Sequence, residues 1–499
     1  MGFPYPRDPG MATGKHRCIR RHRGYLWSMS IHAIHSGPML FLRAAEGGAL
    51  RLAVTCLRPA DSPAPVIRTT DRVPVEALTT RAGTTLWRSE IVVTESHPRY
   101  EVDGTAYEVA IPDEGDMTVA FTSCNGQERG DLDRSEEERN LMWARLHRRM
   151  GHEPVHLLLH GGDQIYADEV TESHPLSAKW PDEVPEEISA AERHDLRETL
   201  ANGFFLRYAT QRAQAGYGDV VSRVPSLCMW DDHDICDGWG SLPQKAQNSE
   251  LATILFEAAR EAFLLFQFGC RGDEHPEICS GRTSAFSWRM DLPGLSVIAP
   301  DLRSTRTKRQ VMDAHSWADL DSLLHSTEAQ TLLISSVPAL GPRLSWVERA
   351  MKLTRRMEEY EDDLRDQWQS YAHRDEWCRF LRALMAVHDG EETSLAVLSG
   401  EIHLAMRATM KTDTGHMHQL VASGISHPAP PEKMAIALSW LARLGEAPLK
   451  GHPIRMHPLP GQTRPYVAQR NYLLLRRREG QWAAVWDLED SGETDPLPI

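Results

Sequence analysis

Ten residues, Leu157 to Tyr166 (LLLHGGDQIY), end an apolar run on two glycines and then place an acid and a phenol three positions apart. A carboxylate such as Asp163 can bridge two cations, and the phenolate of Tyr166 is a hard anionic oxygen suited to a ferric or similarly acidic ion. A strand running into a solvated turn would use the same residue types, so the other segments must decide. Three of them carry comparable chemistry. The run SLCMW ends in Asp231, Asp232, His233 and Asp234, four consecutive ionisable groups whose repulsion is relieved if cations lie among them. SLAVLSGEIH ends in Glu401 and His403, which share a face of an extended segment and can address one ion. TVAFTSC ends on Cys124, either a metal ligand or a small buried hydrophobe.

These groups need elements that deliver them to one rim. Unbroken apolar runs suit parallel strands covered on both faces, and ligands approach such sheets at the carboxyl ends of the strands. The Gly161-Gly162 pair lets the chain leave the sheet there. Between Cys124 and Asp163, a charged stretch from Ser135 to Met150 carries Leu141, Met142, Leu146 and Met150 at helical spacing, so the segment reads as a βαβ unit. Ala246 to Phe268 reads as a long amphipathic helix. Asn248 at its start is either a cap or an amide ligand for substrate. The strand LSVIAP then leads to Asp301, Arg303 and Arg306. The arginine forks fit phosphate oxygens, with an Arg paired to Asp301 as the structural alternative. TLLISSVPAL is a further buried strand. Residues 170–200 suggest an insertion over the site edge, a candidate lid, and Trp346 to Trp368 reads as a solvated charged helix. His156, His160, His416, His418 and His427 each stand alone and read as satisfied polar residues.

Ahead of these elements, residues 37–116 alternate apolar and polar positions in short runs broken by turns, with a hairpin signal at Asp103-Gly104. They predict a small β-sandwich-like domain. Residues 1–36 read as a disordered basic leader or as sequence ahead of a start near Met29; Arg20-Arg21 lacks the sustained apolar segment of an export signal. Residues 117–499 then form one catalytic domain that closes in a carboxy-terminal β-hairpin.

The chain has 499 residues, 41% of them hydrophobic and 25% charged, which is ordinary globular composition. Its formal charge of -15 opposes attraction to nucleic-acid phosphates. No apolar run approaches the roughly 20 residues of a membrane span. The eight cysteines form no CxxC pair, which predicts reduced thiols and a cytoplasmic location.

Taken in order, FTSC, GDQIY, WDDHD, DLRSTR, ISSVP, WQSYAHR and SGEIH resemble the PhoD-like branch of the metallophosphoesterases, relatives of the purple acid phosphatases. The resemblance runs from about Phe121 to His403, and the amino-terminal β region is similar to the small sandwich that precedes that family's catalytic domain. It implies an α/β fold, a four-layer α/β/β/α sandwich with a multinuclear metal site at the sheet rim. By the same resemblance Asp163 would bridge the metals, and Cys124 and Tyr166 would bind a ferric ion. Asp231, Asp232, Glu401 and His403 would complete a shell that also holds calcium or another divalent ion. Asp232 stands where the wider superfamily has the asparagine of its GNHE motif, and His233 where it has the histidine. Two departures stand out: Glu401 replaces the usual aspartate, and Asn125 follows Cys124.

The chemistry so implied is hydrolysis of phosphate monoesters or diesters, phospholipid-type substrates included, by metal-activated water. His233 would act on the leaving group or the nucleophile, and Arg303 would hold a non-bridging oxygen, with Asn248 and Arg306 binding substrate. A catalytically silent scaffold that binds a partner through the β region, and metal-dependent hydrolysis of a non-phosphorus ester, are the competing readings.

Overall fold

The computed structural model describes residues 33–126, 133–281, 285–341, 367–400, 402–443 and 445–499. Leader residues 1–32, Glu401 and residues 342–366, which hold most of the expected charged helix, lie outside the described residues.

Period-two side-chain alternation builds the central layers. In Leu157–Gly161, Leu157 and Leu159 enter one core while Leu158 enters another; Val119 and Phe121 part from Ala120 in the same way in Met117–Thr122. These two strands and Ser226–Met229 run parallel within an eleven-stranded sheet. A nine-stranded sheet faces it, and there Leu295–Ala299, Gln330–Ile334, Ser394–Ser399 and His416–Val421 are parallel neighbours. Leu332, Ile334, Ala396 and Leu398 share the core of Phe121 and Leu159, so the two sheets pack face to face.

Helices cover both outer faces. Leu141–Met150 places Met142, Trp143 and Leu146 behind Ala120 and Leu158. On the far side, Ala314–Leu323 and Arg374–His388 place Trp317, Leu320, Trp377 and Phe380 against Leu333 and Val397. The result is the expected four-layer α/β/β/α order. Two indoles bolt the sheets together: Trp288 donates to the Cys228 carbonyl at 2.7 Å and Trp486 to the Val421 carbonyl at 2.8 Å.

The region from 37 to 116 is all-β, as expected, and most of its strands join the central sheet. Ser36–Glu46 lies beside Ser226–Met229, with Phe41 opposite Ser226, and continues into Ala49–Pro59, Thr84–Thr94 and Glu76–Arg81. These strands extend the central sheet, because their alternating faces feed the same two cores as the catalytic strands. A three-stranded sheet packs Ile67, Tyr100 and Val102 into the larger core without pairing with the central sheet, and its Asp103-Gly104 hairpin turn has both residues at positive φ, 49° and 85°. At the other end, Asn471–Arg478 and Gln481–Leu488 form the expected terminal hairpin and pair with Met117–Thr122.

Two helical expectations shift. The helix Glu250–Phe263 is shorter than the sequence period suggested and passes into π-helical turns at Leu264–Phe268. Of the insertion expected at residues 170–200, the part from residue 190 on is core: Leu196 and Leu200 of the Ala190–Arg212 helix are buried with the central layer, as are Phe204 and Tyr208 further along that helix.

Candidate metal centre and its cavity

Strand ends from both sheets meet at one rim. The Cys124 amide donates to the Gly162 carbonyl at 3.2 Å and the Asn125 amide to the Asp163 carbonyl at 2.9 Å, which ties the first two loops together. From the other sheet, the amides of Ile425 and His427 donate to the carbonyls of Ser123 and Cys124, each at 3.2 Å. The approach leaves no room for side chains: a methyl on Gly162 would lie 2.7 Å from Cβ of Asp231, and one on Gly400 would collide with Ser123.

Three overlapping groups of donors result, Cys124–Asp163–His403, Asp163–Asp231–Asp232 and Asp232–His233–Asp237, each with its donor atoms within 4.8 Å of one another. Asp163 links the first two and Asp232 the last two. Cys124, Asp163 and His403 all hold left-handed backbone, with φ of 49°, 53° and 51°. Non-glycine residues seldom do so, and such strain gathers at functional sites. Tyr166 joins the first group, its hydroxyl lying 2.8 Å from His403 Nε2. The Ser423 hydroxyl donates to Cys124 Sγ at 3.1 Å.

The electrostatics describe a pocket of concentrated negative charge. Burial, reinforced by Asp231, pushes the Asp163 carboxyl well above its usual range. Burial and then Asp163 do the same to the Cys124 thiol. Burial alone would lower His233, yet Asp168 and Asp232 outweigh it and hold the imidazole well above its ordinary value. His403 is pressed well below its ordinary value by burial and by His427.

The donors fit metal ions. Asp163 Oδ1 is buried without a hydrogen-bond partner, a position that costs free energy unless a cation satisfies it. Thiolate, phenol, imidazole and carboxylate around Asp163 form a mixed soft and hard set, whereas Asp231, Asp232 and Asp237 offer oxygens.

Several sequence expectations take different places. Arg303 is fully buried and does not line the cavity; it pairs with Asp231, lies 3.4 Å from Asp232 and donates to the Trp239 carbonyl. Its guanidinium is thus engaged by these two acids and lies off the cavity wall. Asp301 is not its side-chain partner: its carboxylate accepts from the Trp230 indole and from the amides of Phe286, Arg303 and Ser304. Arg306 is buried, its methylenes against Gly240, and it also lies off the cavity wall. Asn248 is exposed beyond that wall, and the cap of the following helix is Ser249, whose hydroxyl accepts from the Ala252 amide. Asp234 turns inward. It accepts from the amides of Gln164, Ile165 and Asp231 and from the Tyr208 hydroxyl, fastening two loops, and burial raises its pKa to about 7.

Three residues at the site were not anticipated. Asp168 lies 2.9 Å from His233 Nδ1; Asp237 completes the third donor group; His427 stacks on His403 with ring centroids 3.6 Å apart. Asp168 and Asp237 stand close after acids already singled out, and that proximity was the available signal. A lone histidine such as His427 gave none. Of the other histidines set aside, His160 is indeed internal, its ring nitrogens meeting Gln164 and Ser226.

Of the donors, Asp163, Asp232, His233, Asp237 and His403 line a cavity of about 690 Å³. Trp180 and Pro181, from the segment expected to act as a lid, contribute to its wall.

With this geometry in place, comparison with known proteins is informative. The family model described as PhoD related phosphatase matches residues 100–359, more than half of the chain. The chain belongs to that family. Among solved structures, PhoD superposes with a TM-score of 0.56 at 13% identity, covering 94% of this chain and 88% of its own. The purple acid phosphatase PPD1 from yellow lupin (Lupinus luteus) seeds gives 0.51 at 9% identity, covering 94% of this chain and 74% of its own. At such identities these likenesses concern the fold, an α/β metallophosphoesterase fold. An uncharacterized protein of Saccharomyces cerevisiae, YGR266W, is 23% identical over 398 residues, which make up 66% of this chain and 56% of the yeast protein. The chain therefore spans little more than half the length of that relative. Among the described residues no helix is long and apolar enough to cross a membrane, and seven cysteines are free. Cys18 lies outside the described residues.

Proposed function

We propose that this chain hydrolyses phosphate esters, diesters or monoesters, at the cavity above the Asp163 cluster with the help of bound metal ions. The observation that carries this reading is the continuous run of donors from Cys124 to Asp237, with a partnerless buried oxygen of Asp163 at its middle. Cys124, Tyr166, His403 and Asp163 would hold a ferric ion, and Asp163, Asp231 and Asp232 calcium or another divalent ion. Glu401, outside the described residues, would add a carboxylate. Bound there, such ions supply positive charge for the phosphoryl oxygens and lower the pKa of a water near neutrality.

The chain's own groups do the remaining work. Asp168 holds His233 through Nδ1 at 2.9 Å, so Nε2 is the ring nitrogen presented for proton transfer. The Asp168 carboxylate against Nδ1 favours the protonated imidazole, the form that can donate to a leaving ester oxygen. Arg303 acts as a positioning residue that fixes Asp231 and Asp232.

The test is a panel of p-nitrophenyl phosphate, bis-p-nitrophenyl phosphate and p-nitrophenyl acetate, run with and without chelator. Chelator-sensitive cleavage of a phosphate ester, lost in Asp163→Asn, supports the reading. Cleavage of the acetate alone, or full activity in Asp163→Asn, overturns it.

A further inference from the structure

The cavity is larger and more apolar than phosphoryl transfer requires. Its volume of about 690 Å³ falls within the roughly 300–1,000 Å³ of pockets that enclose whole drug-sized ligands. Above the polar floor the wall includes Ile402, Met406, Tyr466, Met434 and Leu438. The last two belong to the helix Glu432–Ala442, which buries Ala435 and Ala442 in a small cluster with Met406 and Tyr466. Met434 and Leu438, four positions apart, share a flank of that helix, and Met434 is 41% exposed. Such a side chain normally loses solvent contact when something apolar covers it.

Charge on the wall points the same way. Asp163, Asp168, Asp182, Asp232 and Asp237 line the cavity, and no Lys or Arg does so among the described residues. Arg303 and Arg306, which could have received extra phosphates, are buried outside it. Asp163, Asp232 and Asp237 belong to the donor groups and Asp168 meets His233, so further phosphates would meet Asp182 with no cationic side chain of the described wall to offset it. An ester with one phosphate and an uncharged hydrocarbon arm would meet carbon.

We infer that the Met434–Leu438 flank, with Ile402, Met406 and Tyr466, is a subsite for an apolar ester arm, so that the preferred substrates are phosphoesters with one bulky hydrocarbon substituent. The inference rests on the phosphoesterase reading and adds a substrate class to it.

The experiment uses the metal-loaded full chain and the methyl, butyl and hexyl esters of p-nitrophenyl phosphate, which share leaving group and charge. A fully buried methylene is worth about fourfold, so even partial burial of the arm should raise kcat/KM at least about tenfold from methyl to hexyl. Met434→Asp with Leu438→Asp should bring the hexyl-to-methyl ratio close to one, and the milder Met434→Gln should lower it in a protein of unaltered melting temperature. In parallel, methylphosphonate and hexylphosphonate are titrated against tryptophan fluorescence, for which Trp180 in the wall is a reporter. Equal rates along the ester series overturn the subsite while leaving the phosphoesterase reading standing. Tighter hexylphosphonate binding without cleavage of these diesters or of p-nitrophenyl phosphate upholds the subsite and defeats that reading. Cleavage of none of these diesters nor of p-nitrophenyl phosphate, with equal affinity for both phosphonates, overturns both. A ratio unchanged in both variants overturns the placement on this helix.

Discussion

Replacing Arg303 by Met tests whether the acid cluster is held together by charge. The guanidinium is fully buried, contacts Asp231, which is 1% exposed, and lies 3.4 Å from Asp232. Methionine keeps much of the volume and removes the cation, so the loss is electrostatic rather than a cavity. Removing one partner of a buried pair costs about 3–5 kcal/mol, because the remaining charge stays desolvated. Two carboxylates lose their counter-charge here, so the upper part of that range is expected for metal-free protein. Cations added to the site replace part of the missing charge, and the variant should gain more from them than the wild type does, by mass action on the folded state. The assay is urea denaturation in chelator and again with saturating Mn²⁺ or Ca²⁺, read as midpoint at unchanged slope. A loss below about 1 kcal/mol in chelator, or the same loss with and without metal, would refute the reasoning.

Three further outcomes follow from particular residues. Asp168→Asn should leave metal content unchanged and lower kcat by about 10²–10⁴, because His233 loses the carboxylate that orients it; stopped assays across pH 5–9 measure this, and an unaltered profile would remove Asp168 from the account. Gly162→Ala forces a side chain onto a backbone at φ 102° and to within 2.7 Å of Asp231, so it should destabilise the fold by about 1–3 kcal/mol and lower metal occupancy. Burial depresses His160 from 6.5 to about 4, so its contribution is present above pH 6.5 and is lost as pH falls toward 4, by about 3 kcal/mol. His160→Gln should flatten stability over that interval in urea titrations at stepped pH, and an unchanged slope would contradict the assignment.

The positions of the candidate donors were legible because strand ends are legible. Runs such as LLLHGG and SLAVLSG announce where buried strands leave a sheet, and Cys124, Asp163, Asp231 and His403 follow those exits directly. Direction was not legible. Sequence shows that Arg303 is a guanidinium near acids, but whether it faces substrate or stands behind Asp231 depends on a pairing 72 residues apart in the chain. Asp234 likewise shares its composition with Asp232 yet points into the loop instead of the cavity. His427 was missed because its role comes from stacking on a histidine in a different loop, and no local pattern encodes that contact. The pairing of the amino-terminal strands was not legible for a related reason. Alternation shows that a strand has two different faces, not which neighbour it pairs with, and here Ser36–Glu46 found Ser226–Met229.

The most direct test of the central claim is metal analysis and the visible spectrum of protein purified without added metal, wild type beside Asp163→Ala. A cation cluster centred on Asp163 predicts bound metal in the wild type, a thiolate- and phenolate-derived absorption band if iron is present, and loss of both metal and ester hydrolysis in the variant. Full hydrolysis by metal-free, colourless protein, or undiminished metal in Asp163→Ala, would contradict it.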